Sequence, residues 1–185
     1  MKHLFLTLIM MTAFFSTSAL AEARNIHVDN TPVQALDLSR YLGRWYEIAR
    51  YDHRFERGLD NTVAVYTLKS DGTVRVENAG WKGGKYKVST GKAKQPRPLQ
   101  EPALLRVSFF GPFYSDYRVL MLDEFYRFAL VGSGNSKYLW ILSRTPQIPY
   151  QTRLAIVHEA QRRGYDTNQL IWVDQSDNLK VASIF

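Results

Sequence analysis

Between Arg44 and Arg144 the sequence repeats one short cycle, in which an alternating or apolar run is followed by a cluster of Gly, Pro, Asn or Asp. Runs of this length, rich in β-branched and aromatic residues, are typical of strands, and the clusters between them are typical of tight turns. Because the links are short, we expect an all-β antiparallel meander, and a meander of eight strands closes readily into an up-and-down barrel. The predicted strands are residues 44–51, 61–69, 73–80, 85–93, 103–110, 116–122, 126–132 and 137–144.

The link between the first two predicted strands is longer than a hairpin turn. Residues 53–60 carry apolar side chains of their own, Phe55 and Leu59, among several charged ones. A long loop on a barrel usually lies over an open end and serves as a lid or a binding element. We therefore expect this loop to form part of the mouth of the barrel.

Helical signals flank the predicted barrel on both sides. Pro149 can open a helix because its missing N–H is not needed at the first position, and Gly164 supplies a C-terminal stop. Residues 37–42 predict a short helical turn before the barrel, and residues 170–173 predict a last short strand. We expect one face of the C-terminal helix to pack on the outside of the barrel. The apolar residues at helical spacing are Tyr150, Leu154, Val157 and Ala160.

The first residues predict a secretory leader. Lys2 and His3 precede an apolar run over residues 4–15, and small residues then end in Ala19-Leu20-Ala21, an A-x-A cleavage site. The alternative is a membrane anchor, but the run is shorter than the ~20 apolar residues that a membrane span requires. We expect cleavage after Ala21, which leaves residues 22–185 as one domain.

The sequence contains no cysteine. A secreted chain of this length then relies on its core alone, without a disulfide, a thiolate metal site or a cysteine nucleophile. A cysteine-borne lipid anchor is also missing from the sequence. The expected location is therefore the periplasm or the exterior, with the protein soluble after the leader is removed.

The formal net charge is +7, and a basic balance favours contact with anionic surfaces such as a phospholipid membrane. The densest basic group alternates with apolar or small residues. A solvated strand face explains this group, and a patch for head groups or a polyanion is the alternative. The group consists of Lys82, Lys85, Lys87, Lys92 and Lys94.

Two motifs about a hundred residues apart carry a family resemblance. Residues 43–50 read GRWYEIAR, and residues 139–146 read LWILSRTP. With the eight-strand spacing and the trailing helix, they resemble the lipocalin family, in particular the bacterial outer-membrane lipocalins and their plant and animal relatives. The resemblance implies that Trp45, in the motif that begins at Gly43, closes the barrel floor and that Arg144 packs across its indole. It also implies that Asp123 and Tyr126 fill the family's middle motif.

Trp45 on the barrel floor faces inward, and counting in steps of two then assigns the inward face of every strand. An eight-stranded barrel has room for roughly one small ligand. The inward set is apolar with a few polar tips, which suits an acyl chain or another elongated hydrophobe, whereas the alternative is a core filled solid. The set is Ala49, Ala64, Tyr66, Val76, Asn78, Tyr86, Val88, Leu105, Val107, Phe109, Val119, Met121, Ala129, Val131, Tyr138 and Trp140.

Glu47 lies on the same predicted inward face as Trp45. It can hold water or orient a ligand, or it can be a paired structural carboxylate below the pocket. At the mouth, Arg54 and Arg57 can meet an anionic head group, or they can be solvated charges that engage Glu56 and Asp60. The apolar residues expected at the mouth are Phe55, Leu59, Phe113 and Tyr114.

The leading functional hypothesis is a carrier in the periplasm or cell envelope that binds and stores or transports small hydrophobic ligands, such as fatty acids or lysophospholipids. The alternatives are an enzyme acting on a lipid, with His53 as a base at the mouth, and an envelope adaptor without a ligand. We predict no catalytic residue, no cofactor, no metal and no nucleic-acid partner. The remaining histidines, His27 in the tail and His158 on the helix, are not expected inside, which argues against haem or zinc.

Overall fold

Eight antiparallel strands follow one another around a closed barrel in the computed structural model, which describes residues 28–182. The strands are β1 (Gly43–Tyr51), β2 (Asp60–Leu68), β3 (Val74–Lys82), β4 (Lys85–Lys94), β5 (Leu104–Phe110), β6 (Phe113–Leu122), β7 (Phe128–Gly132) and β8 (Leu139–Ser143). Each strand pairs with the next, and β1 pairs with both β2 and β8, which closes the ring. The predicted eight-stranded barrel is confirmed. The predicted leader, residues 1–21, lies outside the described residues.

Alternating strand directions give the barrel two distinct ends. The links at the end where β1 finishes form what we call the open end, and they are residues 52–59, 83–84, 111–112 and 133–138. The opposite, closed end carries helix α1 (Leu38–Tyr41) and the remaining links, residues 69–73, 95–103 and 123–127.

Three further elements follow the barrel, namely helix α2 (Tyr150–Arg162), strand β9 (Leu170–Trp172) and helix α3 (Ser176–Ala182). A short 3₁₀ turn, Thr167–Gln169, precedes β9, which pairs with the end of β1. Helix α3 was not predicted from the sequence.

The buried face of α2 differs from the predicted one. Ile156 and Ala160, one turn apart, are fully buried, whereas Tyr150 and Leu154 are 68% and 44% exposed. Ala160 belongs to the predicted face, and Ile156 lies about 40° from it around the helix, so the buried face is rotated away from Tyr150 and Leu154 but still includes Ala160. Val157 is half-buried at the margin of this contact.

The apolar residues form two clusters, one inside the barrel and one between the barrel and α2. The inner cluster includes Trp45, Ala64, Tyr66, Val76, Leu105, Val119, Ala129, Val131 and Leu142. The outer cluster includes Ile48, Ala49, Leu120, Leu130, Ile141, Ile156, Ala160 and Tyr165. Strands under α2 are therefore apolar on both faces.

Two bulges shift the inward face within a strand. On β1 the register with β8 slips between Glu47 and Ala49, so that Ala49 joins the outer cluster and Arg50 stands opposite Trp140. A bulge inserts one residue and reverses the alternation beyond it. The prediction that Ala49 lines the cavity is therefore wrong, and Arg50 takes the inward place.

The second bulge lies on β6, between Val119 and Met121. Val119 stays in the inner cluster, whereas Met121 packs against the outer one. Leu122 pairs with the inward Ala129 and packs on the inner cluster instead. The inward assignment of Met121 is wrong for the same reason as that of Ala49.

The predicted inward face of β4 is wrong as well. The register of the β3–β4 hairpin places Ser89 opposite the inward Asn78, whereas Val88 stands opposite Ala79 on the other face. Tyr86 and Val88 are accordingly 55% and 53% exposed on the outside. The hairpin register decides the face here, and the apolar character of a residue does not.

The pairing between β1 and β2 ends at Tyr46. Further along β1, residues 49–51 pair with β9. Gln175, which is buried, bridges the gap: its Nε2 donates to the carbonyl of Glu47 at 2.8 Å and to that of Thr62 at 2.9 Å. A side-chain amide thus replaces a rung of the ladder between β1 and β2.

Candidate functional site

The closed end is plugged by Trp45 and Arg144. The Trp45 side chain is fully buried, and the Arg144 guanidinium lies 3.9 Å from the centroid of its ring. Arg144 also donates to the carbonyls of residues 40–42 and 44 at 2.7–3.3 Å, and Trp45 Nε1 donates to the carbonyl of Tyr41 at 2.8 Å. Gly43 has a φ of +90°, and a Cβ there would lie 3.5 Å from Arg144 Nη1. The plug that the resemblance implied is present.

Asp123 and Tyr126 also hold the closed end together. The Asp123 carboxylate accepts from the backbone N–H groups of Phe125 and Arg127 and from the Arg127 side chain. Tyr126 adopts a φ of +60°, and its hydroxyl accepts from the backbone N–H of Asp37 at 2.8 Å. Both residues act at the β6–β7 turn, and the Tyr126 side chain packs against the inner cluster.

Three tyrosine hydroxyls meet inside the barrel above the plug. The Tyr117 hydroxyl is 2.7 Å from that of Tyr41 and 3.1 Å from that of Tyr66. Burial raises the pKa of each of the three phenols, so they stay neutral donors and acceptors. Tyr117 was missing from the predicted inward set, although it shares the alternation of Val119 and counting back from there finds it.

Half-buried side chains face the barrel interior at and above the tyrosines, and we call the region beside them the hollow. Val107, Phe109, Tyr117 and Trp140 all pack against the inner cluster, yet each keeps part of its surface open. This partly exposed surface faces the interior of the ring of strands, where we predict that a ligand binds. Of the predicted inward residues, the structure places the following on the interior side or its open end: Ala64, Tyr66, Val76, Asn78, Leu105, Val107, Phe109, Val119, Ala129, Val131, Tyr138 and Trp140. Their contact with a ligand stays a prediction.

A buried polar cluster lies beneath the first loop, centred on the carboxylate of Glu56. This side chain is 6% exposed and accepts from Trp140 Nε1 at 3.1 Å and from Asn78 Nδ2 at 3.2 Å. His53 Nε2 lies 2.9 Å from Glu56 Oε2 without hydrogen-bond geometry, so the contact is an ion pair when the imidazole is protonated. The loop therefore reaches into the barrel instead of only covering it.

Arg50 ties the loop to the barrel wall. Its guanidinium, 2% exposed, donates to Glu47 Oε1 at 2.5 Å. It also donates to the carbonyls of Glu56 and Leu59 at 2.8 and 3.0 Å. Glu47 is thus a paired carboxylate, one of the two roles that the sequence left open.

The two buried carboxyl groups have pKa values that move in opposite directions. Burial raises the pKa of Glu47 well above its ordinary value of 4.5, the charge of Glu56 raises it further, and Arg50 acts the other way. Burial is also the largest influence on the pKa of Glu56, but contacts with His53 and Trp140 and the charge of Arg50 outweigh it and leave that pKa lowered. The cluster accordingly favours the negative charge on Glu56.

The mouth residues are only partly where the sequence predicted them. Phe55 and Phe113 are 59% and 79% exposed at the open end, as is Phe110 at 71%, which was not predicted. The Arg54 guanidinium lies 5.1 Å from the centroid of the Phe55 ring. Arg57 pairs with an exposed carboxylate of the same loop, and that partner is Asp52, in place of the expected Glu56 or Asp60.

Tyr114 does not belong to the mouth. Its ring lies on the outer face of the sheet, 4.9 Å from the Lys94 ammonium group and within 6 Å of Lys92 and Arg106. These residues alternate with the inward Ala93 and Val107. The prediction that Tyr114 forms part of the mouth is wrong. Strand β6 already begins at Phe113, so Tyr114 is a strand residue whose side chain alternates to the outer face.

Two grooves lie on the outside of the barrel. One, of ≈710 Å³, lies where residues 28–31 meet the end of α2, and the other, of ≈550 Å³, lies beside Tyr51 and Tyr165. Arg118, Arg162 and other polar groups line the first. Several charged side chains line each groove, which makes both of them poor sites for an acyl chain.

Residues 36–175 match the family model of the lipocalin-like domain. The chain belongs to the lipocalin family. It is 48% identical over 147 residues to the outer membrane lipoprotein Blc of Citrobacter freundii, across 78% of this chain and 82% of that protein. It is 42% identical over 154 residues to temperature-induced lipocalin-1 of Arabidopsis thaliana, again across 78% and 82%. Insecticyanin of the tobacco hornworm Manduca sexta shares the lipocalin fold, with a TM-score of 0.67, 21% identity and coverage of 81% and 86%.

These relatives correct the predicted location. Lipocalins 48–49% identical to this chain, from Citrobacter freundii and Escherichia coli, are named outer membrane lipoproteins. The prediction of a soluble protein, free of the membrane after leader removal, is contradicted by this comparison. Within residues 28–182, no helix is long and apolar enough to cross a bilayer.

Proposed function

We propose that this lipocalin binds molecules with a single acyl chain, such as fatty acids or lysophospholipids, in the hollow of the barrel, and stores or carries them in the cell envelope. The supporting observation is that the apolar side chains of Val107, Phe109 and Trp140, above the Trp45 plug, are only partly buried. Each methylene that enters such a space contributes ~0.8 kcal/mol.

The proposed setting is the outer membrane, because the lipoprotein names of the bacterial relatives support it. We also propose that residues 1–21 are a cleaved leader and that residues 22–185 form the mature domain. The open end would make a peripheral contact with an anionic membrane. Three exposed phenylalanines, Phe55, Phe110 and Phe113, can enter the head-group region there, and Arg54 carries a matching charge.

Binding rather than catalysis is the proposed activity. A catalytic base must reach a proton of its substrate. Both ring nitrogens of His53, the base that the sequence brought forward, are buried, and Nε2 faces the Glu56 carboxylate. No cofactor or metal is part of the proposal.

A matched pair of valine substitutions tests the proposal. Val107→Trp places an indole into the hollow, whereas Val88→Trp on the neighbouring strand places it outside, where Val88 is 53% exposed. In a titration with a fluorescent fatty acid, Val107→Trp is expected to weaken binding at least about tenfold, the effect of 1.4 kcal/mol, and Val88→Trp to change it little. Equal affinities for both variants, or no binding by the native protein, would contradict the proposal. Native mass spectrometry of the protein from its host identifies the lipid that it carries.

A further inference from the structure

We infer that the polar cluster beneath the first loop is a binding site for the carboxylate of a fatty acid, and that the chain's own Glu56 carboxylate occupies this site in the structure. The inference rests on the proposed binding of an acyl chain in the barrel and adds the head group that the barrel selects.

The groups that hold the Glu56 carboxylate come from the barrel wall. Trp140 Nε1, on β8, donates at 3.1 Å, and Asn78 Nδ2, on β3, donates at 3.2 Å. The two donors reach different oxygens of the carboxylate, so they define a position for a planar group with two acceptor atoms. Any carboxylate that takes this position accepts the same two hydrogen bonds.

Nearby positive charge also favours a carboxylate at this position. Arg50 is 2% exposed and projects into the interior from β1, and its charge lowers the pKa of Glu56. His53 Nε2 lies 2.9 Å from the carboxylate, immediately after β1 in the chain. Arg50 Nε is buried and has no hydrogen-bond partner among the described residues. If the Glu56 carboxylate leaves, a buried guanidinium loses part of its compensation, which favours replacement by another anion.

Glu56 itself belongs to a loop, whereas its hydrogen-bond donors belong to the barrel wall. It belongs to the loop of residues 52–59, whose Arg54, Phe55 and Arg57 side chains are exposed, whereas its two donors are on strands. Trp140 joins the two regions, because it donates to Glu56 and also packs on the inner cluster beside the hollow. A carboxylate bound there leaves its acyl chain in the apolar space below.

The inference is tested by the ratio of two affinities. Palmitic acid and hexadecanol are each titrated against a bound neutral fluorescent probe, with the native protein, with Glu56→Ala and with Glu77→Ala, which removes a surface carboxylate of β3. Glu56→Ala vacates the site and is expected to raise the acid-to-alcohol affinity ratio at least about tenfold, as for one charge-assisted hydrogen bond. Glu77→Ala is expected to leave the ratio unchanged.

A second variant keeps the test valid should Glu56→Ala fold poorly. Glu56→Gln keeps the size of the side chain and removes its negative charge, so it is also expected to raise the acid-to-alcohol affinity ratio. An unchanged ratio in both variants would overturn the inference while leaving the carrier proposal intact. Failure of the native protein to bind either compound would overturn both.

Discussion

The guanidinium of Arg144 lies over the Trp45 ring, 3.9 Å from its centroid, and also donates hydrogen bonds to the backbone carbonyls of residues 40–42 and 44. The plug thus combines a cation–π contact with hydrogen bonds that satisfy the backbone carbonyls of the segment entering the barrel. Because these carbonyls belong to α1 and the start of β1, one side chain fixes how the barrel begins.

Replacement of Arg144 by leucine is expected to destabilise the protein by about 3 kcal/mol, because several partly buried carbonyls lose their donor. Arg153→Leu is the matched control: its guanidinium lies 3.3 Å from the centroid of the Trp172 ring, which is 37% exposed. This exposed pair is expected to contribute under about 1 kcal/mol. Urea unfolding measures both, and equal losses would contradict the role assigned to the carbonyls.

Gln175→Ala tests the bridge between β1 and β2. The substitution leaves the carbonyls of Glu47 and Thr62 without their donor, and we expect a loss of about 2–4 kcal/mol. Gln161, whose amide donates to Thr167 on the surface, provides the control, and its alanine variant is expected to stay within about 0.5 kcal/mol of the native protein. Hydrogen exchange should rise selectively in β1 and β2 of Gln175→Ala. Unchanged protection there would show that the bridge is dispensable.

Ala49→Leu separates the two faces of β1. Ala49 is fully buried in the outer cluster, so the larger side chain is expected to overpack the contact with α2 and to lower stability by about 1–3 kcal/mol. Its affinity for a fatty acid should stay the same. Val107→Leu, which enlarges a residue at the hollow, is expected to show the reverse pattern. Weaker ligand binding by Ala49→Leu, with unchanged stability, would mean that Ala49 faces the cavity.

The two buried glutamates predict opposite effects of pH on stability. A raised folded-state pKa, as for Glu47, stabilises the protein below pH 4.5, the ordinary pKa of a glutamate, and this contribution is lost as the pH rises through the folded-state pKa. A lowered folded-state pKa, as for Glu56, stabilises the protein above pH 4.5, and this contribution is lost as the pH falls through the folded-state pKa. Relative to the native protein, Glu47→Gln should therefore gain stability as the pH rises above 4.5.

Glu56→Gln serves as the counterpart in the same series of urea unfolding curves. It should be least impaired at acid pH, and its deficit should grow as the pH rises towards 4.5 and the native Glu56 ionises. Parallel curves for the two variants would contradict the assignment of the negative charge to Glu56.

Much of the fold and one end of the barrel could be predicted from the sequence. Eight runs separated by turn clusters predict the strands, and the motif around Trp45 with Arg144 predicts the plug. The inward face was predicted wrongly at Ala49 and Met121, because a bulge adds one residue without changing the apolar pattern. The strands concerned are apolar on both faces, since α2 covers the outside.

The polar cluster was harder to predict. Arg50 faces inward only because of the bulge on β1, and Glu56 is buried only because the loop folds back into the barrel. Local propensity carries no information on a contact between a loop carboxylate and Trp140, which is 84 residues away in the chain. The signal available was a long loop with apolar residues of its own, which predicts a lid and does not predict which charged side chain the lid buries.

We expect an acyl chain to enter the hollow beside Trp140. In a Trp81→Phe, Trp172→Phe background, only Trp45 in the plug and Trp140 at the hollow remain of the four tryptophans. A fatty acid brominated along its chain should quench this emission saturably, with one ligand for each protein, and Trp140→Phe should remove most of the quenched signal. Binding of the brominated acid without quenching of Trp140 would contradict the claim.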